Sequence, residues 1–477
     1  MRRAALLATT IIVAAAIVAA AGLTLVFSSG SFALSNKNAN LPSLSYDGSE
    51  PQTGSSDHGG SNNNRQPAVV TSNNTSSVKF RDAINLTNNP NDSVYGQVAS
   101  VNDSVYVVWQ ESIQDLAAGS NYDVFFKSSQ DNGETFNNKT LNLSRNAGFS
   151  EHPQLAASGS NVFAVWTDNT FGKKQVFFAK SSDAGKTFDE PRVLSNSGNV
   201  SSYNQEMAVF GSNVYLVWQE QAPDDGGNVI IFRASSDNGN TFADPVTVAR
   251  DSSNSSGIDS RAFPKVAAYG DNVYVAWSAM ESENNPRRGL YFARSADSGS
   301  AFSSAAKLSS GNEVVGEAQI AAYGDNDVYI IWGGLDAMAA KNLFYVQSSD
   351  GGGTFAGPSS VKSLKSPSNV ELAVMNGRLG SGDNDNNTGN GTSETAAYSL
   401  HVAAQVPLSP DNEEIMFVSN LGGNRTSAQQ QPFNLSKNSG ISECPSISIS
   451  GNDVFVVWED LTVGNHEIFL AKGKVAS

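Results

Sequence analysis

Val162-Phe163-Ala164-Val165-Trp166 is a short apolar run that ends in tryptophan, and the same phrase recurs as Val105 to Trp109, Val214 to Trp218, Val273 to Trp277, Val328 to Trp332 and Val454 to Trp458. All six tryptophans of the chain end one copy each. Runs rich in Val, Ile and aromatic residues, bounded by Gly, Asn and Asp, read as β-strands. Around each copy the same unit returns: a short apolar strand, a Gly or Asn, the tryptophan strand, a polar loop, a third strand such as Val176 to Ala179, and a tight turn. A unit of this kind, repeated many times, is the signature of a blade.

The turn after the third strand reads Ser-x-Asp-x-Gly-x-Thr-Phe. It occurs as Ser129, Asp131, Gly133, Thr135, Phe136 and as Ser181, Asp183, Gly185, Thr187, Phe188, with further copies around Asp237, Asp297 and Asp350. Ala301 stands in the Thr position of the fourth copy. Gly supplies a positive φ, Asp and Ser side chains bond the free amides of the turn, and Phe plugs it into the core. From about residue 80 to the end, the chain resembles the sialidase-like (BNR-repeat) β-propellers, whose Asp-box is this octapeptide. The resemblance implies a structural role for Asp131, Asp183, Asp237, Asp297 and Asp350, on the face away from the active one.

A fourth strand follows each turn, as in Thr140-Leu141-Asn142-Leu143-Ser144. The last repeat stops after its third strand, Glu467 to Ala471, whereas Ala83-Ile84-Asn85-Leu86-Thr87 is a fourth strand with no blade before it. Pairing the two closes a ring and removes its exposed edges. Between Trp332 and Trp458 lies a degenerate unit, Val370 to Met375, Ser399 to Gln405, Glu414 to Ser419 and Phe433 to Ser436, with glutamine or alanine in place of tryptophan. The fold class is therefore all-β: a seven-bladed β-propeller of four-stranded antiparallel blades over residues 79–477, with six blades, the sialidase number, as the alternative.

The chain has 477 residues, with 46 acidic against 30 basic side chains and a net charge of −16. That balance argues against a nucleic-acid partner. Its one cysteine, Cys444, excludes an intrachain disulfide. Ala4 to Phe27 is an almost unbroken apolar run behind Arg2 and Arg3, long enough to cross a bilayer as a helix. Residues 1–27 read as a signal-anchor or, cut after Ala19 to Gly22, a signal peptide. Either way the remainder is delivered outside, to the cell surface as an anchored protein or as a secreted one. Residues 28–78, rich in Ser, Asn and Gly, read as a disordered linker. Asn-x-Ser/Thr triplets at Asn74, Asn85, Asn138, Asn142, Asn199, Asn254 and Asn434 suit a glycoprotein, although so Asn-rich a chain generates many by chance.

Loops joining strand two to three and strand four to the next strand one share one face of a propeller, which is the candidate site. Just after the tryptophans stand Glu111, Asp168, Glu220 and Asp460. They read either as a ligand or cation site, or as carboxylates that bond a neighbouring loop in every blade. Strand-entry positions Tyr95, His152, Tyr203, Arg261, Glu317 and Glu443 differ between blades and are candidates for specificity. Arg287 and Arg288, on the face of Arg261, form the one local basic cluster, able to clamp a carboxylate or to pair with Glu281 and Glu283. Asp383, Asp385, Asn387 and Glu394 approximate a calcium loop, although Thr388 stands where its Gly belongs. A flexible Gly/Asn loop reads equally well, and no other cofactor is expected.

Sialidases hold a sugar carboxylate with three arginines from different blades, and use a tyrosine nucleophile assisted by Glu and an Asp acid/base. Their Phe/Tyr-Arg-Ile-Pro motif has no match here: Phe80-Arg81-Asp82-Ala83 and Arg261-Ala262-Phe263-Pro264 both depart from it. No catalytic residue carries over. The first reading is thus an extracytoplasmic platform binding a glycan, protein or other polar ligand, with its partner membrane reached through the N-terminal segment. A sialidase-like glycoside hydrolase is the alternative, with Asp168, Glu111 and Tyr203 as catalytic candidates, and a cell-envelope structural protein is the second alternative.

Overall fold

The structure, a computed structural model, describes residues 24–28, 31–35, 78–115, 119–195, 200–221, 228–250, 262–282, 285–310, 314–324, 326–336, 338–361, 363–377, 397–419 and 431–475. The chain divides into two units between Thr71 and Ser72. In the first, Thr24–Ser28 pairs antiparallel with Ser31–Ser35. Apart from Thr24 to Phe27, the helix expected over residues 1–27 lies outside the described residues, as does most of the linker. Among the described residues no helix is long and apolar enough to cross a membrane.

The second unit is a ring of seven antiparallel sheets. Blade 1 runs outward through Ser93–Val101, Ser104–Asp115, Gly119–Ser129 and Leu141–Asn142. Blades 2 to 6 repeat this order from first strands Ser150–Ser158, Ser202–Phe210, Lys265–Tyr269, Val314–Tyr323 and Ser368–Gly377, each of which lies against the next around a central channel. Blade 7 supplies Ser442–Ser450, Asp453–Asp460 and Glu467–Val475, and its outer strand comes from the other end of the domain. Phe469 pairs with Asn85 and Leu470 with Ile84. Val78–Phe80 extends the closure beyond the expected strand, pairing Val78 with Val475 and Phe80 with Gly473. Seven blades and the terminal latch are both as the repeat predicts. The degenerate unit is blade 6, and its tryptophan position is Ala404, opposite Met416 as Trp458 is opposite Phe469.

Burial explains why the tryptophan strand is apolar on both faces. Its side chains enter the two gaps beside the blade, and Trp166 packs with Tyr106, Val108 and Phe126 of blade 1. Among the described residues, seven separate apolar cores fill the seven gaps between blades. The octapeptide turn braces the same gaps. Ser129 Oγ donates to Asp131 Oδ1 at 2.7 Å and accepts from Gly133 N at 2.9 Å, while Thr135 N donates to Asp131 Oδ1 at 2.9 Å. The turn's Phe reaches into the preceding blade, with the Phe188 ring edge-on to Phe126 at 4.9 Å. Gly185, at φ +78°, must lack a side chain because a Cβ there would sit 2.8 Å from the Phe126 ring.

Candidate functional site

The carboxylates after the tryptophans are bound inside their own blades. Trp109 Nε1 donates to Glu111 at 2.9 Å, Trp166 to Asp168 at 3.3 Å, Trp218 to Glu220 at 3.1 Å and Trp458 to Asp460 at 3.2 Å. Serine from the first strand joins each of them, as Ser150 Oγ does at 2.7 Å from Asp168 and Ser442 Oγ at 3.1 Å from Asp460. Asn146 and Asn438, from the loops between blades, complete Asp168 and Asp460 at 2.6 Å each. All four carboxylates are buried. Their recurrence is that of an internal cap on the tryptophan. Blade 5 has Gly334 at this position, and there Trp332 Nε1 is buried without a partner.

A second series was not anticipated from the sequence. Asp123, Glu414 and Glu467, on third strands, receive Asn, Ser and Thr groups in or just after the fourth strands: Asn142 Nδ2 lies 2.6 Å from Asp123, and Ser144 Oγ 3.0 Å from it. The signal was present in the Leu-Asn-Leu-Ser phrases. Asn85, Asn142 and Asn434 also cap the following turn through Oδ1, each accepting at 3.0 Å from a backbone N–H.

The residue directly after the tryptophan connects neighbouring blades where it is Gln or Glu. Gln110 Oε1 accepts from His152 N at 2.8 Å, Gln219 Oε1 from Ala262 N at 2.9 Å and Glu459 Oε1 from Tyr95 N at 2.6 Å. The bonds to His152 and Tyr95 land where the first strands shift register. At the equivalent bulges Tyr95 (φ 54°), His152 (54°), Asn204 (56°), Asn369 (43°) and Cys444 (49°) are left-handed, as is Phe263 (43°) just before its first strand. Each such residue costs roughly 1 kcal/mol or more. Six side chains of five kinds are thereby brought to one channel mouth. Of the expected specificity residues, Tyr95, His152 and Glu317 occupy the bulge register, whereas Tyr203 and Glu443 precede it by one place.

The mouth is most distinctive where blades 7, 1 and 2 meet. The Tyr95 ring lies 4.5 Å from that of His152, and Tyr95 keeps 39% of its surface exposed. Glu443, Glu459 and His466 place one ligand atom each within 4.8 Å of one another, a set able to hold a metal ion. His466 Nε2 is 3.6 Å from Glu443 Oε1, and its Nδ1 is 3.3 Å from Asp92 Oδ1. Burial, offset by the Tyr95 N–H, lifts the Glu459 carboxyl to about 7. Burial and then the neighbouring Cys444, Glu459, Glu443 and Glu151 push the Tyr95 phenol up to about 12, and burial likewise raises the Cys444 thiol. Neither is a ready nucleophile at neutral pH.

Deeper in the channel, Lys265 pairs with Glu206 at 2.7 Å, and Gln319 Nε2 donates to Glu371 at 2.6 Å. Burial raises the Glu371 carboxyl to about 8, against the pull of Lys265. Glu151 pairs with Lys174, and Tyr203 Oη donates to Asn228 at 2.7 Å. Arg288 donates to the Ser278 carbonyl at 3.0 Å and to its hydroxyl at 2.9 Å. Arg261 and the loop of Asp383, Asp385, Asn387 and Glu394 lie outside the described residues, and of Arg287 only the strand is described.

No protein-family model matches the chain, and no curated protein matches it. Among solved structures, a protein of unknown function from Dyadobacter fermentans is 12% identical over 84% of this chain and 99% of its own, with a TM-score of 0.48. The GH93 α-L-arabinofuranosidase of Fusarium graminearum, in complex with arabinobiose, is 10% identical over 83% and 98%, at 0.47. The NanB sialidase from Streptococcus pneumoniae is 10% identical over 83% and 94%, at 0.46. Similarities of this size carry no argument about chemistry.

Proposed function

We propose that the protein is a binding platform that takes a neutral or cationic, hydroxyl-rich ligand, a glycan in the first instance, at the channel mouth where blades 7, 1 and 2 meet. The observation that carries this reading is the half-exposed Tyr95 ring flanked by acceptors. A sugar's C–H face stacks on an aromatic ring while its hydroxyls donate to carboxylates such as Glu443, whose side chain keeps 33% of its surface exposed. Asp92, Glu317 and Glu443 outnumber the cations here, and Lys174 and Lys265 are already paired with Glu151 and Glu206. Among the described residues this mouth disfavours an anionic sugar such as sialic acid. The apolar N-terminal run and the linker would hold the platform outside the cell.

Binding to an array of neutral and sialylated oligosaccharides tests the reading. Neutral glycans are expected to bind, with affinity falling about tenfold in Tyr95→Ala, since an aromatic stack contributes up to about 1.5 kcal/mol beyond the area it buries. Preference for sialylated glycans, or an unchanged Tyr95→Ala, overturns it. A glycoside hydrolase is the second reading, favoured by Glu459, protonated near neutrality, beside the carboxylate Glu443. Turnover of aryl glycosides that is lost in Glu459→Gln would establish it.

A further inference from the structure

We propose that Glu443, Glu459 and His466 bind a divalent transition-metal cation such as Zn2+ at the corner of the channel mouth between blades 7 and 1. The three side chains lie within 23 residues of one another along one blade: Glu443 stands near the start of the first strand, Glu459 near the end of the second and His466 immediately before the third. Their ligand atoms lie within 4.8 Å of one another. A cation held at about 2.0–2.2 Å from each ligand requires closure of only about 1 Å, within the reach of side-chain rotation.

Two independent features separate this set from an ordinary group of surface acids. One is the break in the repeat at Glu459. The place after the tryptophan is Gln110, Thr167, Gln219, Ser278, Gly333 and Gln405 in the other blades, and only blade 7 puts a carboxylate there. Gln110 and Gln219 make the same inter-blade bond with an amide oxygen that Glu459 makes to Tyr95 N. The bond does not need a charge. Glu459 is nevertheless 3% exposed, and among the described residues no lysine or arginine is paired with it or with Glu443. A buried carboxyl with no basic partner ionises fully only when a cation supplies the counter-charge.

The other feature is the orientation of His466. Its Nδ1 faces Asp92 Oδ1 at 3.3 Å, and the His466 backbone N–H donates to the same oxygen at 3.1 Å. A carboxylate on one ring nitrogen fixes the tautomer that leaves Nε2 with its lone pair toward Glu443 and Glu459, the usual support of a metal-bound histidine. Asp92 comes from the loop that follows the closing strand, 374 residues away, so the site is completed by closure of the ring. One imidazole and two carboxylates suit Zn2+ and its first-row neighbours better than Ca2+, which takes oxygen alone.

The test uses the full chain without a histidine tag, stripped with chelator, and titrated with ZnCl2 or CaCl2 in a calorimeter alongside thermal melts. About one Zn2+ per chain is expected, with a melting temperature that climbs with Zn2+ concentration. Glu459→Gln keeps the inter-blade bond and should fold like wild type while losing at least about tenfold in affinity. His466→Gln should lose as much, and Asp92→Asn, which acts through His466, about tenfold. Absence of Zn2+ binding at about 100 µM, wild-type affinity in both Glu459→Gln and His466→Gln, or a preference for Ca2+ over Zn2+ would each overturn the site.

Discussion

Asp168 shows how one carboxylate holds a blade at its mouth. It accepts from the Trp166 indole, Ser150 Oγ, Asn146 Nδ2 and the Thr170 N–H, drawing the second strand, the first strand and two loops onto one buried side chain. Truncation leaves several buried donors without an acceptor, at roughly 1–3 kcal/mol for each one that water cannot reach. Asp168→Ala is expected to lower unfolding free energy by about 3 kcal/mol, read from the denaturant midpoint at unchanged slope. A loss below about 1 kcal/mol would mean that the carboxylate is free for a ligand after all. Trp332 is the natural counter-example, since its indole N–H has no acceptor and blade 5 stands without one.

At the scale of the element, the octapeptide turn stores the acid sensitivity of the domain. Hydrogen bonds from Thr135 and Ser129 hold the Asp131 carboxyl down at about 2, and bonds from Thr187 and Ser181 do the same for Asp183. Asp237, Asp297 and Asp350 are lowered in the same way by their own turns. A carboxyl lowered by folding stabilises the fold above its ordinary value of 3.8, and that contribution disappears as pH falls through about 2. Stability followed by chemical denaturation should therefore drop between these values. Replacing the five aspartates with asparagine should flatten that drop, and an equally steep fall in the substituted protein would assign it to other groups.

For the whole molecule, closure is the decisive contact. Ile84–Asn85 and Val78–Phe80 cover the outer edge of Glu467–Val475, and Phe80 packs on Phe417 of blade 6 at 4.9 Å between ring centroids. Removing residues 1–85 bares that edge and is expected to lower the melting temperature and to promote association through the open strand, visible by light scattering. Removing residues 1–71 leaves the latch and should leave the melt of the propeller unchanged. Equal melts for the two truncations would show that the latch contributes nothing.

Blade architecture was legible in the chain because every blade is a local object: Trp166, its flanking strands and the turn at Asp183 lie within one short stretch and repeat with the same chemistry. Even the latch could be counted out, since a ring of four-stranded units that begins with a fourth strand and ends with a third has one way to close. The recurring acids Glu111, Asp168, Glu220 and Asp460 could be found in the same way, but whether they faced a ligand or their own tryptophan turned on where the indole N–H points. The corner of Glu443, Glu459, His466 and Asp92 lay beyond such reading. Its members come from two strands and a loop of blade 7 and from the opposite end of the domain, and they carry no common motif. Periodicity along a chain records which residues share a strand or a turn, whereas residues become neighbours across a channel only once the ring has shut and burial has set which charges must face one another.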